Sequence, residues 1–146
     1  MSSATPTLRL TREQYDQIVA HCHEGFPEEA CGLFGGPVAG NGEPTGDVTA
    51  VYPCRNADES TRTYTVDSRD LIKAMRAAET DGGALVGVWH SHTHTEAYPS
   101  ATDVRQAMEP GWIYALVSLK DETPLMRAYR IRDGEIAEVA IALPDH

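Results

Sequence analysis

Two histidines and an aspartate are spaced so that they can hold one metal ion. His90 and His92 stand two residues apart, and side chains at that spacing point the same way in an extended segment. Asp103 follows a polar stretch, and a loop and a helix between them can return its carboxylate to the imidazoles. Two imidazoles and one carboxylate leave zinc an open fourth position, as in catalytic rather than structural sites. The pKa of a water bound there falls from about 15.7 to about 7, which makes hydroxide available at neutral pH.

A wider pattern decides between a metal site and a chance pair of surface histidines. After His92 the chain continues with seven residues, then Ser100, two more residues and Asp103. Upstream, Glu29 begins an E-x-C-G stretch that ends at Gly32. In this order, these elements resemble the JAMM signature of the MPN-domain (Mov34/MPN/PAD-1) metalloproteases. Members of that family cleave amide or isopeptide bonds at the C-terminal glycines of ubiquitin-like proteins.

The resemblance implies a role for each matching residue and one zinc ion per chain. The metal-ligand positions of the family match His90, His92 and Asp103. Glu29 matches the general base that takes a proton from water and passes it to the leaving amine. Ser100 matches the serine that donates a hydrogen bond to the developing oxyanion. From the residues alone, Glu29 is equally a solvated acid beside Glu28, and Ser100 is equally a helix N-cap.

Two neighbours of these residues raise alternatives. Glu28 precedes Glu29, but adjacent residues of an extended chain face opposite sides, so only one of the two can reach the metal. The register of the E-x-C-G stretch selects Glu29. His94 stands two residues beyond His92, and as a ligand it would displace Asp103 or close the position for water. We therefore expect His94 to be a loop residue that lines the substrate groove.

The stretch after His92 indicates a branch of the family. Thr93 stands where many members have proline, and the segment is similar to the bacterial branch that acts on small ubiquitin-like sulfur carrier proteins. The resemblance implies hydrolysis after the carrier's C-terminal Gly-Gly, with release of cysteine in cysteine biosynthesis. Two alternatives stay open at this point. One is trimming of residues beyond the Gly-Gly, and the other is a non-catalytic MPN scaffold.

A cysteine leaving group would carry a carboxylate one residue beyond the cut. A cation should meet that carboxylate, because an unpaired charge beside Glu29 is costly. The candidates for this substrate-binding role are Arg55, Arg62 and Lys73. The more usual role for each of them is that of a solvated surface charge.

The elements that must position these residues form an α/β (α+β) mixture. Helices are predicted at residues 12–23, 101–108 and from Asp67 or Ser68 to Gly82-Gly83. Strands are predicted at 8–10, 30–36, 48–52, 61–66, 84–89, 113–118, 124–132 and 135–143, with 91–100 as a polar loop. Short connections favour antiparallel neighbours. The resemblance implies an MPN (JAMM)-like fold, similar to the cytidine deaminase fold, with a mixed sheet of six to seven strands and about three helices.

Composition excludes several classes of protein. The chain of 146 residues has the size of one domain, 1–146, and carries 12 basic against 22 acidic residues for a net charge of −10. That charge argues against nucleic acid and favours a carrier with a basic face. An apolar window for a membrane span and a targeting signal are both lacking, which predicts a cytoplasmic protein without membrane contact. The three cysteines fit neither a disulfide framework nor a zinc finger and are expected to be reduced thiols.

Overall fold

A mixed six-stranded sheet forms the centre of the fold, in the order β3-β2-β4-β5-β6-β7. The computed structural model describes residues 6–107 and 109–143. The helices are α1 (Arg12–Gly25), α2 (Ser68–Thr80) and α3 (Ala101–Gln106). The strands are β1 (Leu8–Arg9), β2 (Cys31–Gly36), β3 (Ala50–Cys54), β4 (Ala84–His92), β5 (Ile113–Ser118), β6 (Leu125–Arg132), β7 (Glu135–Val139) and β8 (Ile141–Ala142). These elements confirm the predicted α+β class, with its mixed sheet and three helices.

Strand β4 is the centre of this sheet. It pairs antiparallel with β2 and parallel with β5, whereas the other neighbours in the sheet are antiparallel. The apolar run from Ala84 to Trp89 suits a strand that is covered on both faces. On one face, Phe34 and Trp89 pack with Ile18 of α1. On the other face, Val88 packs with Ala74 of α2.

Local signals in the sequence set the ends of the two longer helices. Thr11 and Gln14 form a capping box at the start of α1, each side chain accepting a hydrogen bond from the other's backbone N–H. The carboxylate of Asp67 caps α2 by accepting from the first backbone N–H groups. Gly82, with φ of 83°, follows the end of α2 in the left-handed region that glycine tolerates. Helix α2 therefore lies where the sequence predicts it.

Several predicted boundaries are wrong. The predicted strand at 61–66 is a loop with a single bridge between Asn56 and Val66, because side-chain hydrogen bonds of Asn56 and Ser60 fold this segment back. The predicted strand at 48–52 lies at Ala50–Cys54, and the last predicted strand divides into β7 and β8. Strand β8 pairs with β1 in a separate two-stranded sheet. The predicted end of α3, Met108, lies outside the described residues.

Strand β4 also extends further than predicted. It continues through Ser91 to His92, where a polar loop was expected, because parallel pairing with β5 runs as far as Ser118. The imidazoles of His90 and His92 therefore stand on a regular strand. Within residues 6–107 and 109–143, no helix is both long enough and apolar enough to cross a membrane.

Candidate metal centre

The end of β4 holds His90 and His92 on one face of the sheet. Both are almost fully buried, with relative exposures of 2% and 4%. His92 Nδ1 lies 2.8 Å from the carbonyl oxygen of Glu96, and because that oxygen only accepts, Nδ1 carries a proton. The hydrogen bond orients the ring and turns Nε2 toward α3. Tyr64 stacks on the ring of His90 with centroids 4.1 Å apart, which limits its rotation.

The first turn of α3 brings Asp103 to these imidazoles. Its Oδ2 lies 3.0 Å from His92 Nε2, and its Oδ1 lies 3.6 Å from His90 Nε2. A capping box fixes the carboxylate, since Asp103 Oδ2 accepts from the Ser100 N–H at 2.8 Å and Ser100 Oγ accepts from the Asp103 N–H at 3.1 Å. Both Nε2 atoms therefore face one anchored carboxylate.

The ionisation of this cluster follows from those contacts. Burial alone would raise the pKa of Asp103, but the hydrogen bond from His92 and the nearby His90 outweigh it and lower that pKa to about 2. Burial opposes a charge on His92, yet its hydrogen bonds to Asp103 and to the Glu96 carbonyl raise its pKa above the usual value. Asp103 is therefore a carboxylate at neutral pH.

Glu29 approaches the same site from the connection between α1 and β2. It is 5% exposed, whereas Glu28 is exposed, so the two acids face opposite sides although both precede the strand. Glu29 Oε1 lies 3.3 Å from His90 Nδ1. Its backbone is held at both ends, because its N–H donates to the Ser60 carbonyl at 2.7 Å and its carbonyl accepts from Asn56 Nδ2 at 2.9 Å.

The donor set fits a divalent metal ion. Glu29, His90 and His92 each offer one ligand atom, and these atoms lie within 4.8 Å of one another. Glu29 Oε1 and His90 Nδ1 lie 3.3 Å apart without an aligned hydrogen bond, and among the described residues neither atom has another partner. Imidazole nitrogens with carboxylate oxygens are ligands that suit zinc.

Two carboxylates compete for the third ligand position. The three residues whose ligand atoms lie within 4.8 Å of one another are the two histidines and Glu29, and Asp103 is not among them. However, Glu29 faces Nδ1 of His90, whereas the carboxylate of Asp103 faces Nε2 of both histidines. A single ion can contact both imidazoles and the Asp103 carboxylate only at the point where the two Nε2 atoms face that carboxylate. We therefore favour Asp103 as the third ligand.

Comparison with known proteins places this chain in a family. Residues 11–132 match the family described as prokaryotic homologs of the JAB domain. The chain belongs to this family. A CysO-cysteine peptidase from Mycobacterium tuberculosis is 43% identical over 132 residues, covering 90% of this chain and 87% of that relative. A probable TtuB-protein conjugate cleaving protease from Thermus thermophilus is 30% identical over 137 residues, covering 93% and 82%.

Solved structures also resemble this chain in fold. The solution structure of protein DSY2949 from Desulfitobacterium hafniense has a TM-score of 0.82 and is 33% identical, covering 94% of this chain and 93% of that chain. The crystal structure of AF2198, a JAB1/MPN domain protein from Archaeoglobus fulgidus, has a TM-score of 0.58 at 18% identity, covering 92% of this chain and 98% of that chain. The predicted family and fold are therefore confirmed.

A cavity of about 480 Å³ opens beside the candidate metal centre. Glu29, Arg62, His94 and Ser100 are among its lining residues. His94 is exposed, and its ring meets the edge of Phe26 at 5.8 Å between centroids. The structure therefore brings together the candidate ligands, base, serine, His94 and one of the three candidate cations.

The other two candidate cations lie elsewhere. Arg55 Nη1 pairs with Asp67 at 3.2 Å, and its Nη2 lies 3.9 Å from Glu59. Lys73 is exposed on α2. Neither Arg55 nor Lys73 is among the described residues that line the cavity.

Asn56 holds Glu29, a lining residue of this cavity, against the loop at 56–66. The sequence patterns did not predict this role. Asn56 Nδ2 donates to the carbonyls of Glu29 and Thr63 at 2.9 and 3.0 Å, and its Oδ1 accepts from the N–H groups of Asp58 and Thr65 at 2.9 and 3.0 Å. The side chain is 8% exposed, and all four of its hydrogen-bonding positions are used. Asn followed by Ala-Asp is a turn signal in the sequence, but its link to Glu29 depends on tertiary structure.

Asn56→Ala should destabilise the fold substantially. Four hydrogen bonds are lost, two of them to carbonyls that become partly unsatisfied, so we expect the free energy of unfolding to fall by about 3 kcal/mol. Chemical denaturation measures this change. Asn41→Ala is the matched control, because Asn41 is exposed and accepts one hydrogen bond, from Glu43. Equal losses for the two variants would contradict the role assigned to Asn56.

Proposed function

We propose that this chain is a zinc-dependent peptidase that cleaves after the C-terminal glycine of a small ubiquitin-like sulfur carrier protein and releases cysteine. The observation that carries this proposal is the convergence of His90 Nε2, His92 Nε2 and the Asp103 carboxylate, with Glu29 buried beside them. The extensive identity with a CysO-cysteine peptidase supports this substrate class. The relative named as a conjugate cleaving protease is consistent with a protein substrate.

His90, His92 and Asp103 are the residues that would hold the zinc ion. When bound, zinc supplies Lewis acidity, which polarises the scissile carbonyl and lowers the pKa of water. Glu29 is the general base in this proposal: it accepts a proton from the attacking water and passes it to the leaving amine. Glu29 is among the residues that line the cavity beside the candidate metal centre, where the attacking water would enter.

Ser100 has two roles in the proposed mechanism. As the N-cap of α3, its Oγ accepts a hydrogen bond from the Asp103 N–H. Its own hydroxyl proton is not used in that contact, so Ser100 can donate it to the oxyanion that forms at the scissile carbonyl. Cap and oxyanion donor are therefore compatible roles for the same hydroxyl.

The substrate contacts are also part of the proposal. In this proposal a slender Gly-Gly tail enters the open cavity next to the candidate metal centre and contacts Arg62 and His94, which are among its lining residues. Of the three candidate cations, Arg62 is the one we propose as a substrate contact, because Arg55 and Lys73 are not among the described lining residues. The net charge of −10 supports a protein partner rather than nucleic acid. Three buried, free cysteines support a cytoplasmic location.

Mass spectrometry of a sulfur carrier with a C-terminal cysteine adduct tests the proposed function. We expect the zinc-loaded protein to shorten this carrier by one cysteine and to leave the Gly-Gly terminus intact. Removal of a longer peptide from an extended carrier, with no action on the cysteine adduct, would favour trimming instead. An unchanged mass for both carriers would contradict peptidase activity and favour a scaffold.

A further inference from the structure

A second groove adjoins the candidate metal centre, and Glu29 is not among the described residues that line it. Its volume is about 510 Å³, and it shares His92, His94 and Ser100 with the first cavity. Its other lining residues include Tyr98 and Lys120. We call it the Lys120 groove. The sequence patterns do not predict a role for Lys120. It is 28 residues from His92 in the sequence, but both residues line the same groove in the structure.

The backbone at Lys120 is tied to the loop that follows His92. The Leu119 N–H donates to the His92 carbonyl at 2.9 Å, and Ser118 Oγ donates to the Thr95 carbonyl at 2.6 Å. The Lys120 N–H in turn donates to Ser118 Oγ at 3.3 Å. The base of the lysine side chain therefore keeps a fixed position relative to the metal centre.

The ammonium group of Lys120 is available for a ligand. Its Nζ lies 3.8 Å from Glu96 Oε1, with the two side chains 47% and 82% exposed. Exposed pairs of this kind contribute little free energy, so an incoming carboxylate can replace or join Glu96. Among the described residues that line the Lys120 groove, Glu96 is the one acid, and it already faces the ammonium.

The proposed substrate brings a carboxylate that needs such a cation. The cysteine attached to the carrier is the residue that follows the scissile bond, and it carries a free α-carboxylate. During cleavage this carboxylate lies close to Glu29 and Asp103, in a protein with a net charge of −10. At Arg62 this carboxylate would share a cavity with Glu29, a group of like charge. In the Lys120 groove it meets Lys120, with His94 and Thr95 beside it, and Glu29 is not among the described lining residues. The one acid there, Glu96, has a side chain that is 82% exposed.

We infer that Lys120 binds the α-carboxylate of the residue that leaves, an inference that rests on the proposed peptidase function. The Lys120 groove is then a subsite for a free amino-acid carboxylate. It selects substrates with a single residue after the scissile bond, because a longer leaving group places a neutral amide at Lys120. Arg62 remains on the cavity wall beside Glu29 and contacts other parts of the substrate.

Binding of two carriers tests this inference. Both end in Gly-Gly-Cys, one with a free carboxylate and the other with a C-terminal amide. Affinities are measured by isothermal titration calorimetry on the zinc-loaded Glu29→Gln variant, in which cleavage should not interfere. We expect the carrier with the free carboxylate to bind about tenfold more tightly than the amide. An effect of this size is typical of one hydrogen bond to a charged group.

Lys120→Ala and Lys120→Gln, each made in the Glu29→Gln background, should remove this preference, and Lys120→Arg should keep most of it. The control is Arg76→Ala, which removes one exposed positive charge from α2 and should leave the preference unchanged. Equal affinity for the two carriers before any change at position 120, or an unchanged preference in Lys120→Ala, would overturn the inference. Loss of the preference in Arg62→Ala instead would assign the carboxylate to Arg62. Failure of the proposed function has a separate sign, which is that the wild-type protein releases no cysteine.

Discussion

Glu29→Gln is expected to stop hydrolysis and to leave the metal bound. The variant keeps the shape of the side chain and the backbone hydrogen bonds to Ser60 and Asn56, but it removes the group that accepts the proton from water. Loss of a general base typically lowers the rate by about 10²–10⁴-fold. Release of cysteine, followed by mass, measures the rate, and elemental analysis of the purified variant measures its zinc.

Glu28→Gln is the matched control for this variant. It makes the same chemical change one residue earlier, on a side chain that is exposed where Glu29 is 5% exposed. We expect its activity to equal that of the wild type. Similar loss of activity in both variants would contradict the choice of Glu29, and loss of zinc in Glu29→Gln would make Glu29 a ligand rather than the base.

Local patterns were sufficient for the residues whose positions depend on their own element. His90 and His92 share a face because β4 is an extended strand, and a spacing of two residues dictates that alternation. Ser100 and Asp103 meet because a helix that starts at residue 101 forms a capping box between them. Each of these relations spans a few residues, so the sequence predicts it directly.

The loop at 56–66 shows why other features could not be predicted. Thr63 and Thr65 are β-branched and suggest a strand, but their backbone groups bond to the side chain of Asn56 rather than to a neighbouring strand. The same amide reaches Glu29, which lies 27 residues earlier. Strand propensity describes single residues and contains no information about which partner satisfies a backbone group.

The cations around the site required the tertiary structure for a similar reason. A charge of the right sign is visible in the sequence, but its distance from the metal centre depends on how loops fold. Arg55 is drawn to Asp67, whereas Lys120 is held near His92 by the parallel pairing of β4 with β5 and the hydrogen bonds that follow it. Charge alone therefore suggested three candidates and omitted the one that the Lys120 groove presents.

Asp103→Asn is expected to remove most of the bound zinc and, with it, the activity. The carboxylate of Asp103 lies 3.0 and 3.6 Å from the Nε2 atoms of His92 and His90, and its low pKa, about 2, keeps it ionised at neutral pH. An amide lacks the charge that a divalent ion needs from this ligand. The capping interactions at Ser100 use one carboxylate oxygen, which the amide oxygen can replace, so the fold of α3 should persist.

Zinc content after dialysis, together with circular dichroism of the same sample, checks this expectation. His94→Ala is the control, because His94 is exposed beside the site and its loss should leave the zinc content at one ion per chain. Comparison with Glu29→Gln decides between the two carboxylates. If Asp103→Asn keeps its zinc while Glu29→Gln loses it, the ligand set is Glu29, His90 and His92, the same three groups that lie within 4.8 Å of one another. If the reverse holds, the meeting point of the two Nε2 atoms defines the metal site, and Glu29 is free to move a proton.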